Sequence, residues 1–257
     1  MAAPSKATAQ ATAKAATQAP AFMPLYLQIR DLLTERLAAG EWAPGEAIPA
    51  ELTLAAQFGV SHGTVRKAVE ALAADHLVVR RQGKGTYVVT HTEEAQSMYR
   101  FLRIRRDDGV DAYPVSRILD FRRGKSSMEE ARLLELRAGD PVIGIRRVLE
   151  WQGVPAVLDD LTLPAVLFRG LTRSKLEAYA GSLYGLFESR FGVRMLNAQE
   201  RLKAVAADSN SAALLGVARG APLLRVDRVA FTFGARPVEV RRGLCTTLDH
   251  HYANALG

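Results

Sequence analysis

Between residues 61 and 84 the chain gathers hydrogen-bond donors in two tight sets. The first is Ser61, His62, Gly63, Thr64 and Arg66; the second is Arg81, Gln82, Gly83 and Lys84. On a helix, His62, Arg66 and Glu70 are spaced by four and share a face with Gly63. The planar fork of Arg66 can pair with O6 and N7 of a guanine, whereas Ser61 and Thr64, at the positive end of the helix, suit phosphate oxygens. In the second set two glycines within Gln82-Gly83-Lys84-Gly85 permit positive φ and clear the way for a close backbone approach. Arg80, Arg81 and Lys84 beside them suit phosphates. Together the two sets predict contact with a nucleic-acid duplex, one helix in a groove and one thin tip on the backbone.

The elements that must position these residues follow from periodicity. Leu25, Ile29, Leu32, Leu33 and Leu37 recur at helical spacing, which predicts a helix over about 24–39, stopped by Gly40. Pro49 opens a second helix through Glu51, Leu52, Leu54 and Ala55. Gly59 can take the left-handed conformation of a tight turn, and Ser61 stands where the N-cap of a third helix over about 62–74 belongs. Val65, Val69 and Leu72 supply that helix's inner face. Two β-rich runs, 77–81 and 86–89, then flank the glycine tip.

Net charge is weaker evidence than placement. The chain carries +7, yet residues 22–90 hold seven Lys/Arg and seven Asp/Glu. Five of those seven bases, however, fall at Arg66–Lys67 and Arg80–Lys84, where contact is expected. No apolar run approaches the ~18 residues of a membrane span. The first twenty residues, rich in Ala, Thr, Gln, Lys and Pro, read as a disordered tail rather than a signal peptide. A single cysteine, Cys245, forms no intrachain disulfide, and a cytoplasmic location is expected.

Residues 24–89 resemble the winged helix-turn-helix of GntR-type bacterial transcription regulators. The resemblance rests on Pro24-Leu25-Tyr26-x-Gln28-Ile29, Gly45-x-x-Ile48-Pro49-Ala50-Glu51, Val60-Ser61-x-x-Thr64-Val65-Arg66 and Gly83-Lys84-Gly85-Thr86. It implies base or backbone contacts at His62, Arg66 and Gly83. Family members usually carry Ser at the position of Ala50 and Arg at that of His62, so the duplex sequence read here is expected to differ.

Beyond a short polar linker over 91–97, two segments echo each other at an offset of 81. Leu133-Leu134 matches Leu214-Leu215, Gly139-x-Pro141 matches Gly220-x-Pro222, Arg147-Val148 matches Arg228-Val229, and Gly153 matches Gly234. Each copy reads as short helix, glycine stop, strand, turn and strand, predicting one α+β domain with internal pseudo-symmetry around a mostly antiparallel sheet. Alternation puts Arg147 with Ile143, Ile145 and Leu149, and Arg228 with Leu224, Val226 and Ala230. An arginine on an apolar face needs a partner: an internal carboxylate such as Asp159, Asp160 or Glu239, or an anionic ligand. Ser182-Leu183-Tyr184 reads as a helix start with hydroxyls at its positive end, a place for a carboxylate or phosphate or simply a cap and a core tyrosine.

This second unit, from residue 98 to the end, resembles the UTRA effector-binding domain that accompanies GntR heads of the HutC subfamily, a fold similar to chorismate lyase. Gly139-Asp140-Pro141, Arg147, Pro155, Asp159, Ser182-x-Tyr184 and Pro237-x-Glu239 carry the resemblance. It implies ligand contacts at Arg147, Asp159, Ser182, Tyr184 and Glu239. Members that bind sugar phosphates often show Arg-x-Arg where this chain has Arg147-Val148-Leu149, and Asp159 and Cys245 stand where Glu and Tyr are usual. The resemblance thus implies a homodimeric, effector-released repressor on an inverted-repeat operator, with a small anionic metabolite as effector; the departures at Leu149, Asp159 and Cys245 point to a smaller or singly charged one. A lyase or hydrolase is the alternative, but there is no Ser-His-Asp order, no HExxH and no P-loop. Asp249, His250, His251 and Cys245 lack metal-ligand spacing, so no metal, cofactor or catalysis is expected. An effector-independent architectural DNA protein would leave some 150 folded residues without a task.

Overall fold

Ile29, Leu33 and Leu37 lie buried along one side of the first helix, α1 (Leu25–Ala38). They pack on Val65, Ala68, Val69 and Leu72 of α3 (His62–Ala74), each fully buried. Between them α2 (Glu51–Phe58) ends at Gly59, whose φ of 64° turns the chain into α3. Ser61 caps α3 by accepting from the Thr64 amide at 3.1 Å, a bond worth about 1 kcal/mol. Strands β1 (Val78–Arg81) and β2 (Gly85–Val88) then pair antiparallel, Arg81 opposite Gly85. The tip is therefore Gln82-Gly83-Lys84; Gly85, expected in it, is the first residue of β2. The computed structural model describes residues 23–90, 101–110 and 112–254. The tail expected over 1–20 and the linker expected over 91–97 lie outside the described residues.

The second unit is one antiparallel sheet of six long strands. In chain order these are β4 (Val115–Lys125), β5 (Pro141–Trp151), β6 (Val154–Pro164), β7 (Asn197–Ala206), β8 (Pro222–Phe231) and β9 (Pro237–Thr246). In space the order is β4-β5-β6-β9-β8-β7, which reads the same from either edge. Each half holds a short helix after its first strand, α4 (Met128–Leu134) in one and α7 (Ser209–Leu215) in the other. The repeat expected from the offset of 81 is thus the architecture: two three-stranded halves joined at β6 and β9. Its turns match as well, since Gly139 and Gly220 have φ of 87° and 85°. A small ribbon of β3 (Ile104–Arg106) and β10 (His250–Tyr252) completes the strands.

The two sheet faces differ. On one, Ile143, Ile145, Leu161 and Leu163 pack under Phe168 and under Phe187 of α6 (Leu183–Phe191), which follows the short α5 (Arg173–Ala178). On the other, Val148 and Leu158 pack under Ala212 and Leu215 of α7. Between the helices of that second face runs a row of cross-strand partners: Asp120, Arg146, Asp160, Arg242, Asp227 and Arg201, one per strand in spatial order. Charges alternate along it, with Arg146 2.7 Å from Asp160 and Arg242 3.3 Å from Asp227.

Candidate functional site

α3 places Ser61, His62, Gly63 and Arg66 on the exposed surface of the head and Thr64 half-buried. The Arg66 side chain is 62% exposed, with Nε 3.1 Å from Glu70 Oε1, so its outward face is accessible to a duplex. Exposed pairs of this kind hold by less than about 1 kcal/mol, so Arg66 can leave Glu70 for a guanine at little cost. His62 Nε2 lies 3.1 Å from Glu51 Oε2. Arg80, expected to meet phosphates, instead bridges two carboxylates: its guanidinium is 2.6 Å from Glu51 and 3.4 Å from Glu70. That position neutralises the acidic groups beside α3. Hydrogen bonding to Arg66 draws the Glu70 carboxyl below its ordinary range.

At the wing, Lys84 and Gln82 are exposed and Gly83 holds a φ of 70°. The Arg81 guanidinium stacks 4.6 Å from the Tyr87 ring, and the Tyr87 hydroxyl donates to the Lys84 carbonyl at 3.1 Å, fixing the tip. The Lys84 ammonium stands exposed at that tip. Replacing Lys84 with alanine is expected to weaken binding to all duplexes alike. It should also lower the slope of log K against log[salt] by about 0.9, measured by anisotropy from 50 to 200 mM salt. An unchanged slope would remove Lys84 from the contact.

In the second unit a half-open cleft lies at the ends of β4, β5 and α6. Arg147, Arg228, Arg241, Ser182, Tyr184 and Ser116 are its polar wall; Phe101, Leu149 and Leu183 supply apolar surface. Ser182 caps α6 by accepting from the Gly185 amide at 3.0 Å. The Tyr184 hydroxyl is a hub. It donates to Glu239 Oε1 at 2.8 Å and accepts from Arg228 at 3.3 Å and Arg241 at 3.2 Å.

Behind the wall each arginine meets a carboxylate. Arg147 and Asp159 are direct cross-strand partners, with both Nε and Nη2 on Asp159 Oδ2 at 3.1 and 2.9 Å. Arg241 bonds Glu239 at 3.1 Å and Asp159 at 3.3 Å. Arg228 bonds Glu200, its cross-strand partner, at 2.6 Å and the carbonyl of Phe101. Burial works to raise the Asp159 carboxyl, but Arg241 and Arg147 outweigh it and hold the group below the usual carboxylate range. Burial likewise opposes the charge on Arg241, yet Glu239 and Tyr184 hold it well above the ordinary arginine value. Gly243 leaves room for this pairing, since a Cβ there would stand 3.0 Å from Asp159 Oδ1.

The five residues expected at a ligand therefore fall into two layers. Arg147, Ser182 and Tyr184 line the cavity; Asp159 and Glu239 stand behind the arginines, Asp159 lining a smaller adjoining space with Cys245. Asp160 turns to the other face, against Arg146. The sequence reading missed Arg241 and Glu200. Arg241 was recoverable: it is two residues from Glu239 on the same strand and so shares its face. Glu200 gave no signal, because β7 carries charges on both faces. Among the described residues no three His, Cys, Asp or Glu side chains are grouped to hold a metal, and no helix is long and apolar enough to cross a membrane. His251 pairs with Asp107 at 2.6 Å and His250 packs on Trp151.

Comparison with known proteins agrees with this division. Residues 25–88 match the model of bacterial regulatory proteins of the gntR family, and residues 111–251 match the UTRA domain. The HTH-type transcriptional repressor NagR of Bacillus subtilis is 29% identical over 211 residues, covering 81% of this chain and 85% of that protein. The mannosyl-D-glycerate transport/metabolism system repressor MngR of Escherichia coli is 27% identical, covering 89% and 94%. The histidine utilization repressor of Pseudomonas putida is 26% identical, covering 85% and 86%. Among solved structures, the ligand-binding domain of a Bordetella bronchiseptica regulator assigned to the GntR family is 52% identical. It superposes with a TM-score of 0.58, covering 60% of this chain and 96% of that one. With an exposed arginine-bearing helix and glycine wing ahead of an arginine-walled cavity, and with both models matched in that order, the chain belongs to the UTRA-domain family of gntR-type, DNA-binding transcriptional regulators.

Proposed function

We propose that the protein is a cytoplasmic, non-enzymatic repressor of the HutC type. It binds an inverted-repeat operator as a homodimer through Ser61, His62, Gly63, Thr64 and Arg66 of α3 and Arg81 to Lys84 of the wing, and leaves it when a small anionic metabolite fills the cavity. Two-fold protein symmetry is mirrored in such an operator. The observation that carries the effector reading is the charge balance of the cavity wall. Arg147, Arg228 and Arg241 are matched by Asp159, Glu239 and Glu200. A phosphate dianion would have to displace an internal carboxylate, whereas a carboxylate can share the outer edge of Arg147 and take hydroxyl donors from Ser182 and Ser116. MngR and the histidine utilization repressor are named for systems handling mannosyl-D-glycerate and histidine, each of which carries one carboxylate. Catalysis is disfavoured because Tyr184 is bonded to Glu239 and both Glu239 and Asp159 are held by arginines, the reverse of a poised acid or base.

Footprinting on the promoter of the protein's own transcription unit tests the first part, with a protected palindrome expected. A folded dimer that protects none would refute it. Thermal-shift screening of small carboxylates, with hits rechecked for operator release, tests the second. Stabilisation by phosphate dianions alone would overturn the charge argument.

A further inference from the structure

One helix touches both halves of the molecule. α6 begins at Ser182 and Tyr184 on the cavity wall and, four residues after Tyr184 on the same face, presents Glu188. Glu188 is 5% exposed. Its Oε2 accepts from the Thr90 hydroxyl at 2.8 Å, and its Oε1 forms an ion pair with Arg194 Nε at 3.0 Å. Arg194, also buried, donates through Nη2 to the Val89 carbonyl and lies 5.6 Å from the Phe233 ring. Val89 and Thr90 are where the chain leaves the wing, and the Val89 amide is itself bonded to Leu77 at 3.1 Å. Around this point Leu196 and Phe233 pack into the core of the head.

We propose that Glu188 and Arg194 form a latch through which the cavity sets the seat of the DNA-binding head. The proposal rests on the reading of that cavity as the effector site. A ligand that engages Ser182, the cap of α6, shifts the start of that helix together with Tyr184, and a rigid helix carries the motion to Glu188. A buried ion pair is bistable in the sense required, because a partly separated pair leaves two uncompensated charges. The head is then either seated with the latch closed or released with both groups in water, and a ligand that fits only one arrangement selects between them.

Hydrogen exchange on the full-length chain tests this with no ligand present. Glu188→Gln and Arg194→Met should each raise exchange of the Val88 and Val89 amides about tenfold while leaving α7 and β8 protected. Tyr184→Phe, at the cavity end, should raise the same two amides about threefold in the otherwise unchanged protein and have no further effect in the Glu188→Gln background. Should Arg194→Met fail to fold, the near-isosteric Glu188→Gln carries the comparison alone. Unaltered exchange at Val88 and Val89 in folded Glu188→Gln protein overturns the latch, as does a Tyr184→Phe effect that persists undiminished without Glu188. The carboxylate screen reports separately. Binding of carboxylates without this coupling leaves the effector cavity and removes the latch; coupling without carboxylate binding does the reverse.

Discussion

Replacing Asp159 with alanine is expected to destabilise the effector-binding half by about 3–5 kcal/mol, because it leaves the buried Arg147 without its hydrogen-bonded carboxylate and takes from Arg241 one of its two. Arg147 and Arg241 both direct guanidinium nitrogens at Asp159 Oδ2, and neither side chain is more than 10% exposed. In a unit of this size each kcal/mol moves the melting midpoint by about 2–4 °C, so a calorimetric scan should show a fall of about 6–20 °C. A fall of less than about 2 °C would mean that the arginines find water instead. The pH dependence follows with its sign. The folded carboxyl titrates below its ordinary value, so its contribution is complete above the unfolded value and is lost only as pH falls through the lower folded one. Asp159→Asn should therefore flatten the acid limb of the stability curve and leave the alkaline limb as it was.

The second large effect concerns recognition. Arg66→Ala should cost about 5- to 150-fold in operator affinity at fixed salt, since a bidentate arginine–guanine contact discriminates by about 1–3 kcal/mol. The loss should fall on the operator and spare a scrambled duplex of equal length, measured side by side by fluorescence anisotropy. Equal losses on both would demote Arg66 to a phosphate contact. Lysine should not rescue the position, because an ammonium lacks the planar fork.

Much of this was legible in the residues, for identifiable reasons. Helix α3 announced itself through Ser61, Gly59 and the Val65–Val69–Leu72 stripe because local signals and tertiary burial agree there. The duplicated sheet was visible because glycines at matched turns must hold positive φ, which keeps Gly139 and Gly220 in step. What escaped were contacts between residues far apart in the chain. Glu200 reaches Arg228 across a strand pair, and Glu188 reaches Thr90 over 98 residues. Periodicity reports which face a side chain takes and is silent on what waits opposite. For the same reason the pairing of Arg80 with Glu51 and Glu70 was not legible in the sequence.

The alternating row from Asp120 to Arg201 has a consequence for how the sheet assembles. Were β6 to slide by two residues, Arg146 would face Leu158 or Thr162 in place of Asp160, and Arg242 would lose the same partner. A single misalignment is thus penalised on both flanks of the sliding strand, as teeth on neighbouring gears resist skipping. Because such exposed attractions fade with ionic strength, the fidelity of strand alignment during refolding should be highest in dilute buffer, where native topology has its sharpest electrostatic guide.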